Sequence, residues 1–265
     1  MKDISISIQK VDNEEKLSGQ DKYIADYQID HMLYAITKRS EIACGEIKDI
    51  IYPEIPKGYY IINHEDIQGK NIIKVIFDDW PVFTKKTISY LYEPLMLVIG
   101  PDKSIVIDIM SRIKITYIEK QPVFDWTDSV IDYHFSKGKG SSVFDDADEV
   151  IEKTYETGYQ EQAYIEPQGM IGYMDGDKIT LIGSIQCPYY VKNAVIQATD
   201  ELPENIRVIQ STVGGAFGGK EEYPSLIACQ LAVAVKKIKQ PIQLIFEREE
   251  DILVTTKRHP SKTRF

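Results

Sequence analysis

"STVGGAFGGKEEYP" (residues 211–224) sets four glycines within six positions around Ala216-Phe217 and follows them with Lys220-Glu221-Glu222. Before it, "NIRVIQST" (205–212) reads as a short β-branched strand. After it, residues 222–238 read as a helix. Glu221 and Glu222 stand at its positive end, Pro224 suits its first turn, and Lys236, Lys237 and Lys239 stand at its negative end. Leu226, Ile227, Leu231, Ala232, Ala234 and Val235 make that helix apolar on nearly every face, so it should be buried. The glycine stretch therefore joins a strand to a buried helix. Its backbone N–H groups can face a ligand, and the helix dipole favours an anion or an electron-rich oxygen there.

Three readings of the loop compete. Gly214 to Lys220 fits the opening of a phosphate-binding G-x-x-x-x-G-K loop, but Glu221 stands where a Ser or Thr hydroxyl should bind magnesium. The dinucleotide pattern G-x-G-x-x-G fails at Ala216. A plain turn before a helix leaves so bare a backbone around one aromatic unexplained, and close approach of something bulky accounts for it better. Phe217 either projects from the loop or folds back into the core.

Outward from the loop, "QGMIGYMDGDKITLIGSIQ" gives a hairpin turning at Asp175-Gly176-Asp177, and "PYYVKNAVIQATDE" (188–201) gives a helix. Residues 149–167 alternate and predict one long strand bent at Gly158. Residues 241–251 predict another strand, followed by a short helix. Earlier in the chain, strands are expected over 25–40, 58–67, 94–99 and 113–119, with a helix near 102–112 and a break at Pro122. Residues 1–19 read as a polar, extended entry. The fold class is α+β. Its expected parts are an extension (1–19), a first domain (20–125), a linker (126–147) and a second domain (148–265), which the family resemblance given below implies is incomplete.

The chain has 265 residues, 43% of them hydrophobic, and a net charge of −10, which argues against wrapping nucleic acid or coating an anionic membrane. The apolar run 226–235 is too short to cross a bilayer, and the N-terminus has no apolar signal region. Cys44, Cys187 and Cys229 lie far apart without a C-x-x-C, so neither a zinc site nor an iron–sulfur cluster is encoded; unpaired thiols suggest the cytoplasm. His31, His64, His134 and His259 show no ligand spacing.

Four segments in order resemble the molybdenum-binding subunit of the xanthine dehydrogenase and aldehyde oxidase family. They are "GYQEQAYIEPQG" (158–169), "GSIQCPYYVKNAV" (183–195), "VGGAFGGKEE" (213–222) and "FEREEDILVTTKRHPSKTRF" (246–265). The region from "KLSGQDKYIADY" to "SRIKITYIEKQPVFD" is similar to that family's α/β hammerhead domain. The resemblance implies a molybdenum–molybdopterin cofactor with Gln160, Gly215, Phe217 and Gly218 against it, Gln160 and Phe217 bordering the metal. Phe217 and Glu221 would contact the substrate. It implies hydroxylation of purines or related N-heterocycles with water-derived oxygen, with aldehydes as the alternative substrate. Electrons would leave through separate 2Fe–2S and FAD subunits. Ala216 and Gln162 depart from the pattern, where a further glycine and a histidine are usual. The resemblance also places the catalytic base beyond residue 265. The expectation is an N-terminal piece, inactive alone, that associates with itself or with a missing C-terminal half. A non-catalytic assembly piece is the competing reading.

Overall fold

The computed structural model describes residues 5–75, 77–124, 133–138 and 140–265. Residues 126–132 and 139 of the expected linker lie outside these. Two compact units divide the chain, Met1–Lys120 with Gln162–Thr256, and Gln121–Glu161 with Lys257–Phe265.

The first unit opens with α1 (Asn13–Ser18), which ends at Gly19. The entry is thus partly helical rather than wholly extended. Its strands in chain order are β1 (Leu33–Arg39), β2 (Gly45–Ile51), β3 (Tyr60–Asn63), β4 (Thr87–Ile88) and β5 (Pro94–Gly100). α2 (Lys103–Arg112) and β6 (Lys114–Glu119) follow. β7 (Thr154–Thr157) belongs to the second unit. The first unit resumes with β8 (Gly169–Asp175), β9 (Lys178–Gly183), α3 (Pro188–Thr199) and β10 (Ile206–Gln210). It continues with α4 (Tyr223–Ile238), β11 (Ile242–Ile245) and α5 (Arg248–Val254). β12 (Ser261–Arg264) returns to the second unit.

One seven-stranded sheet has the order β10-β9-β8-β11-β1-β5-β3. The β10–β9 and β1–β11 pairs are parallel, and the others are antiparallel. Strands from both sides of residue 125 thus share one sheet, although a boundary was expected there. β5 explains the layering. Its alternate residues Leu97 and Ile99 join the core under α3 and α4, while Met96 and Val98 join a second core with Val106 and Ile109 of α2. Side chains on a strand alternate faces, so a strand covered on both sides is buried along its whole length, as β5 is. The three-stranded sheet β4-β2-β6 adds Ile47, Ile50 and Ile115 to that second core. The architecture is α+β, as the sequence predicts. No helix among the described residues is long and apolar enough to cross a membrane.

α4 is buried from Tyr223 to Val235, as its all-round apolarity requires. α2 starts where Asp102 accepts from the Ser104 and Ile105 N–H groups, a side-chain cap for two otherwise unpaired donors.

Four expectations need correction. The strand predicted over 25–40 begins only at Leu33, after His31 takes a left-handed turn; Ile24–Asp26 is a 3₁₀ turn. Over 58–67, the strand stops at Asn63, whose side chain caps a 3₁₀ turn at His64–Asp66. The long strand over 149–167 shrinks to Thr154–Thr157. All four of its residues are exposed, so the alternation has no buried face to follow, and left-handed Ala163 and Pro167, which lacks an N–H, stop extension. The strand over 241–251 ends at Ile245. Glu249, Glu250 and Asp251 instead fill the first turn of α5, where the helix dipole favours acids.

The second unit pairs β7 with β12 antiparallel, Thr157 opposite Ser261 and Thr154 opposite Arg264. Ion pairs Lys262–Glu156 (2.7 Å) and Arg264–Glu152 flank the ribbon.

Candidate functional site

β10 leads into the glycine loop, and α4 leaves it. Between them Phe217 takes a left-handed φ of 50° and is 80% exposed. A non-glycine residue held there costs of order 1–3 kcal/mol and persists only where its surroundings enforce it. Of the two sequence alternatives for Phe217, projection is the one observed.

The enforcement comes from a buried network. Lys220 is wholly buried, and its Nζ donates to Glu166 Oε2 (3.0 Å) and Ser184 Oγ (2.8 Å), 4.9 Å above the Tyr164 ring. Glu166 Oε2 also accepts from the Gly214 N–H (2.8 Å) and Ser184 Oγ (2.6 Å). Burial pushes the Glu166 carboxyl up, but Ser184, the Gly214 N–H and Lys220 outweigh it and hold it below the usual range. Burial draws Lys220 below the ordinary lysine value, against the pull of Glu166. Behind this pair, the Tyr164 hydroxyl donates to Asp251 Oδ1 (2.6 Å), and Gln168 Nε2 donates to the Gly219 carbonyl (2.7 Å). Lys220 N–H donates to Gln186 Oε1 (3.1 Å), and the Gln186 N–H returns a bond to the Lys220 carbonyl (2.8 Å).

These contacts account for the loop's two ends. Its middle is different. Among the described residues, the backbone N–H groups of Gly215, Ala216, Phe217 and Gly218 donate to no protein acceptor. Four consecutive donors without protein partners, beside an exposed ring, suit an extended group rich in oxygen or sulfur acceptors. At Gly218, with φ 87°, an added Cβ would meet nothing within 4 Å. At Gly219 it would lie 2.4 Å from Tyr164 Cε1, on a ring that is itself fully buried. Gly219→Ala should therefore destabilise the chain by about 1–3 kcal/mol through overpacking. Thermal unfolding beside wild type checks this, and an unchanged midpoint would mean the Tyr164 ring moves freely.

Gly215 sits in the same loop at φ 102°. Glu221 is exposed beside the start of α4. Burial raises the Cys187 thiol, and the charges of Glu221 and Glu222 raise it further, which places both carboxylates near the start of α3. Gln160 belongs to the second unit. There its backbone bridges Arg258 (3.2 and 3.0 Å), and the Arg258 guanidinium donates to its side-chain oxygen. Phe217 and Glu221 belong to the first unit. Glu247 and Glu250 pair with Lys103 (2.6 Å) and Arg39 (2.9 Å).

Sequence reasoning missed Glu166, Ser184, Tyr164, Gln168 and Asp251, and treated Lys220 only as a test of a phosphate loop. The one available signal was a lysine pinned between Gly219 and a buried helix, a place where its charge needs an acid.

Known proteins share this architecture. The solved aldehyde oxidoreductase of Desulfovibrio desulfuricans superposes with a TM-score of 0.85 over 98% of this chain and 32% of its own, at 21% identity. The fold places the chain in that α+β architectural class. Residues 123–265 match the family model described as "Molybdopterin cofactor-binding domain", and the chain belongs to that family. The large molybdopterin subunit of nicotinate dehydrogenase from Eubacterium barkeri is 28% identical over 95% of this chain and 63% of its own length. The xanthine dehydrogenase of Dictyostelium discoideum is 26% identical over 95% of this chain and 19% of its own. The chain thus spans under two thirds of the length of either relative. The group this family binds is molybdopterin, and the free N–H run of residues 215–218 fits such a group.

Proposed function

We propose that the chain is part of a molybdenum hydroxylase that oxidises planar N-heteroaromatic compounds, of the purine or nicotinate kind. The observation that carries this is the run of N–H groups from Gly215 to Gly218, which donate to no acceptor among the described residues, with the exposed, left-handed Phe217 within it. Bound there, the molybdenum cofactor supplies two-electron oxidation with oxygen drawn from water. The chain's own residues bind and orient. The N–H groups of Gly215 to Gly218 hold electron-rich atoms of the cofactor. The Phe217 ring stacks on the flat substrate and excludes water from one of its faces. Glu221 accepts a hydrogen bond from the ring N–H of a purine-type substrate, and Gln160 lends its side-chain amide beside the metal. The catalytic base, 2Fe–2S and FAD components lie on other segments or subunits.

The test is the complete enzyme, assayed with xanthine, nicotinate and benzaldehyde and an artificial electron acceptor, alongside metal analysis. Stoichiometric molybdenum and a preference for the two heterocycles are expected. Purified enzyme without molybdenum, or with turnover of the aldehyde alone, would sink the proposal.

A further inference from the structure

We propose that Glu166 is a positioning residue that closes the base of the cofactor loop and ties it to the segment preceding β1. The inference rests on the functional reading above and adds a residue that acts through the loop rather than on the cofactor.

Glu166 gathers donors from four places in the chain. Oε2 takes the Gly214 N–H at the start of the loop (2.8 Å), Lys220 Nζ at its end (3.0 Å) and Ser184 Oγ just after β9 (2.6 Å). Oε1 takes the Ile24 N–H (3.2 Å). The entry and exit of the loop therefore meet at one oxygen, and between them lie Gly215 to Gly218, whose N–H groups donate to no acceptor among the described residues. The approach is close enough that a Cβ on Gly214 would lie 2.5 Å from the Glu166 Cβ, so the bare backbone at 214 answers to Glu166, not to the ligand. A second tie supports the first: Thr212 Oγ1 donates to Asp21 Oδ1. Ile24 is itself buried, so the segment 21–24 is anchored while it holds the loop. Fixing both ends of a loop at a single point restricts the arc between them. That arc carries Phe217, and its left-handed backbone needs such enforcement.

Glu166→Gln separates this role from bulk stability, because it keeps the side chain's shape and removes the charge that three donors share. Amide exchange in the full chain, followed residue by residue by NMR without cofactor or substrate, is the readout. Exchange at Gly214, whose N–H donates to Glu166, should accelerate about 10- to 100-fold, the loss of a hydrogen bond to a charged group, and Gly219 and Lys220, whose N–H groups donate to Ala216 and Gln186 at the loop's exit, should accelerate with it as that end is released. Exchange in the β8–β9 hairpin should stay within about threefold, the scatter of distant sites. Unchanged exchange at the three loop amides would overturn the proposal. So would equal acceleration of loop and hairpin, which would make Glu166 a general stability residue. Should Glu166→Gln fail to fold, Ser184→Ala removes one donor from the same oxygen. It should accelerate the same three amides about 3- to 10-fold and spare the hairpin, and no change at them would again overturn the proposal. Exchange is read without molybdenum, so a complete enzyme lacking metal or heterocycle turnover would defeat the functional reading and leave this result standing.

Discussion

Lys220→Ala is expected to destabilise the chain by about 3–5 kcal/mol, the usual cost of removing one member of a buried ion pair. The size follows from what stays behind. Glu166 would keep its buried position, with Ser184 and the Gly214 N–H as donors, but without the cation that balances its charge. The Tyr164 ring would lose the ammonium above its face, and the alanine would leave a void under the loop. For a chain of this size, such a loss lowers the melting temperature by roughly 6–20 °C. Scanning calorimetry checks it, and a loss under about 1 kcal/mol would mean that water fills the gap and solvates Glu166. The double variant Lys220→Met with Glu166→Leu should recover much of the loss, because an apolar pair of similar volume often equals a buried ion pair.

The same pair predicts how acid acts. The folded carboxyl of Glu166 is depressed, so its stabilisation is present above the ordinary glutamate value of 4.5 and is lost as pH falls through the lower folded value. In Lys220→Ala the cation that helps hold it down is gone, so the acid-unfolding midpoint should move to higher pH. The buried lysine works the other way. Its depressed value imposes a cost below the ordinary lysine range that is relieved as pH rises through the folded value.

The second large effect concerns substrate choice. In the complete enzyme, Glu221→Ala should lower kcat/KM for xanthine roughly 30- to 1000-fold, or about 2–4 kcal/mol of transition-state stabilisation. Benzaldehyde, which has no ring N–H to pair with a carboxylate, should lose less than about threefold. In this chain Glu221 is exposed, so the effect depends on substrate covering it and removing its water. Equal losses for both substrates would reduce Glu221 to an acid at a helix start, where the dipole contributes under about 1 kcal/mol. Steady-state kinetics on the two substrates decide it.

Local signals in the sequence settled the elements. The all-round apolarity of Leu226 to Val235 determined the burial of α4, Asp175-Gly176-Asp177 determined the hairpin, and the glycine run marked the loop between β10 and α4. In each case neighbours within a few positions carry the information, because helix period, strand period and turn chemistry are short-range. Local alternation misled where no sheet face received it, as at Thr154–Thr157, which is exposed on both sides. Tertiary structure alone decided the pairing of β1 with β11 and the network beneath the loop. Leu33 meets Ile242, and Glu166 meets Ile24, Ser184, Gly214 and Lys220, across separations that no periodicity encodes. Asp251 illustrates the limit. In sequence it closes the stretch 241–251 that predicts a strand, yet it lies in the first turn of α5, fully buried against Tyr164 and Gln168. Whether a charge faces water or a buried partner depends on which distant segment packs over it, and only the assembled sheet and helices determine that.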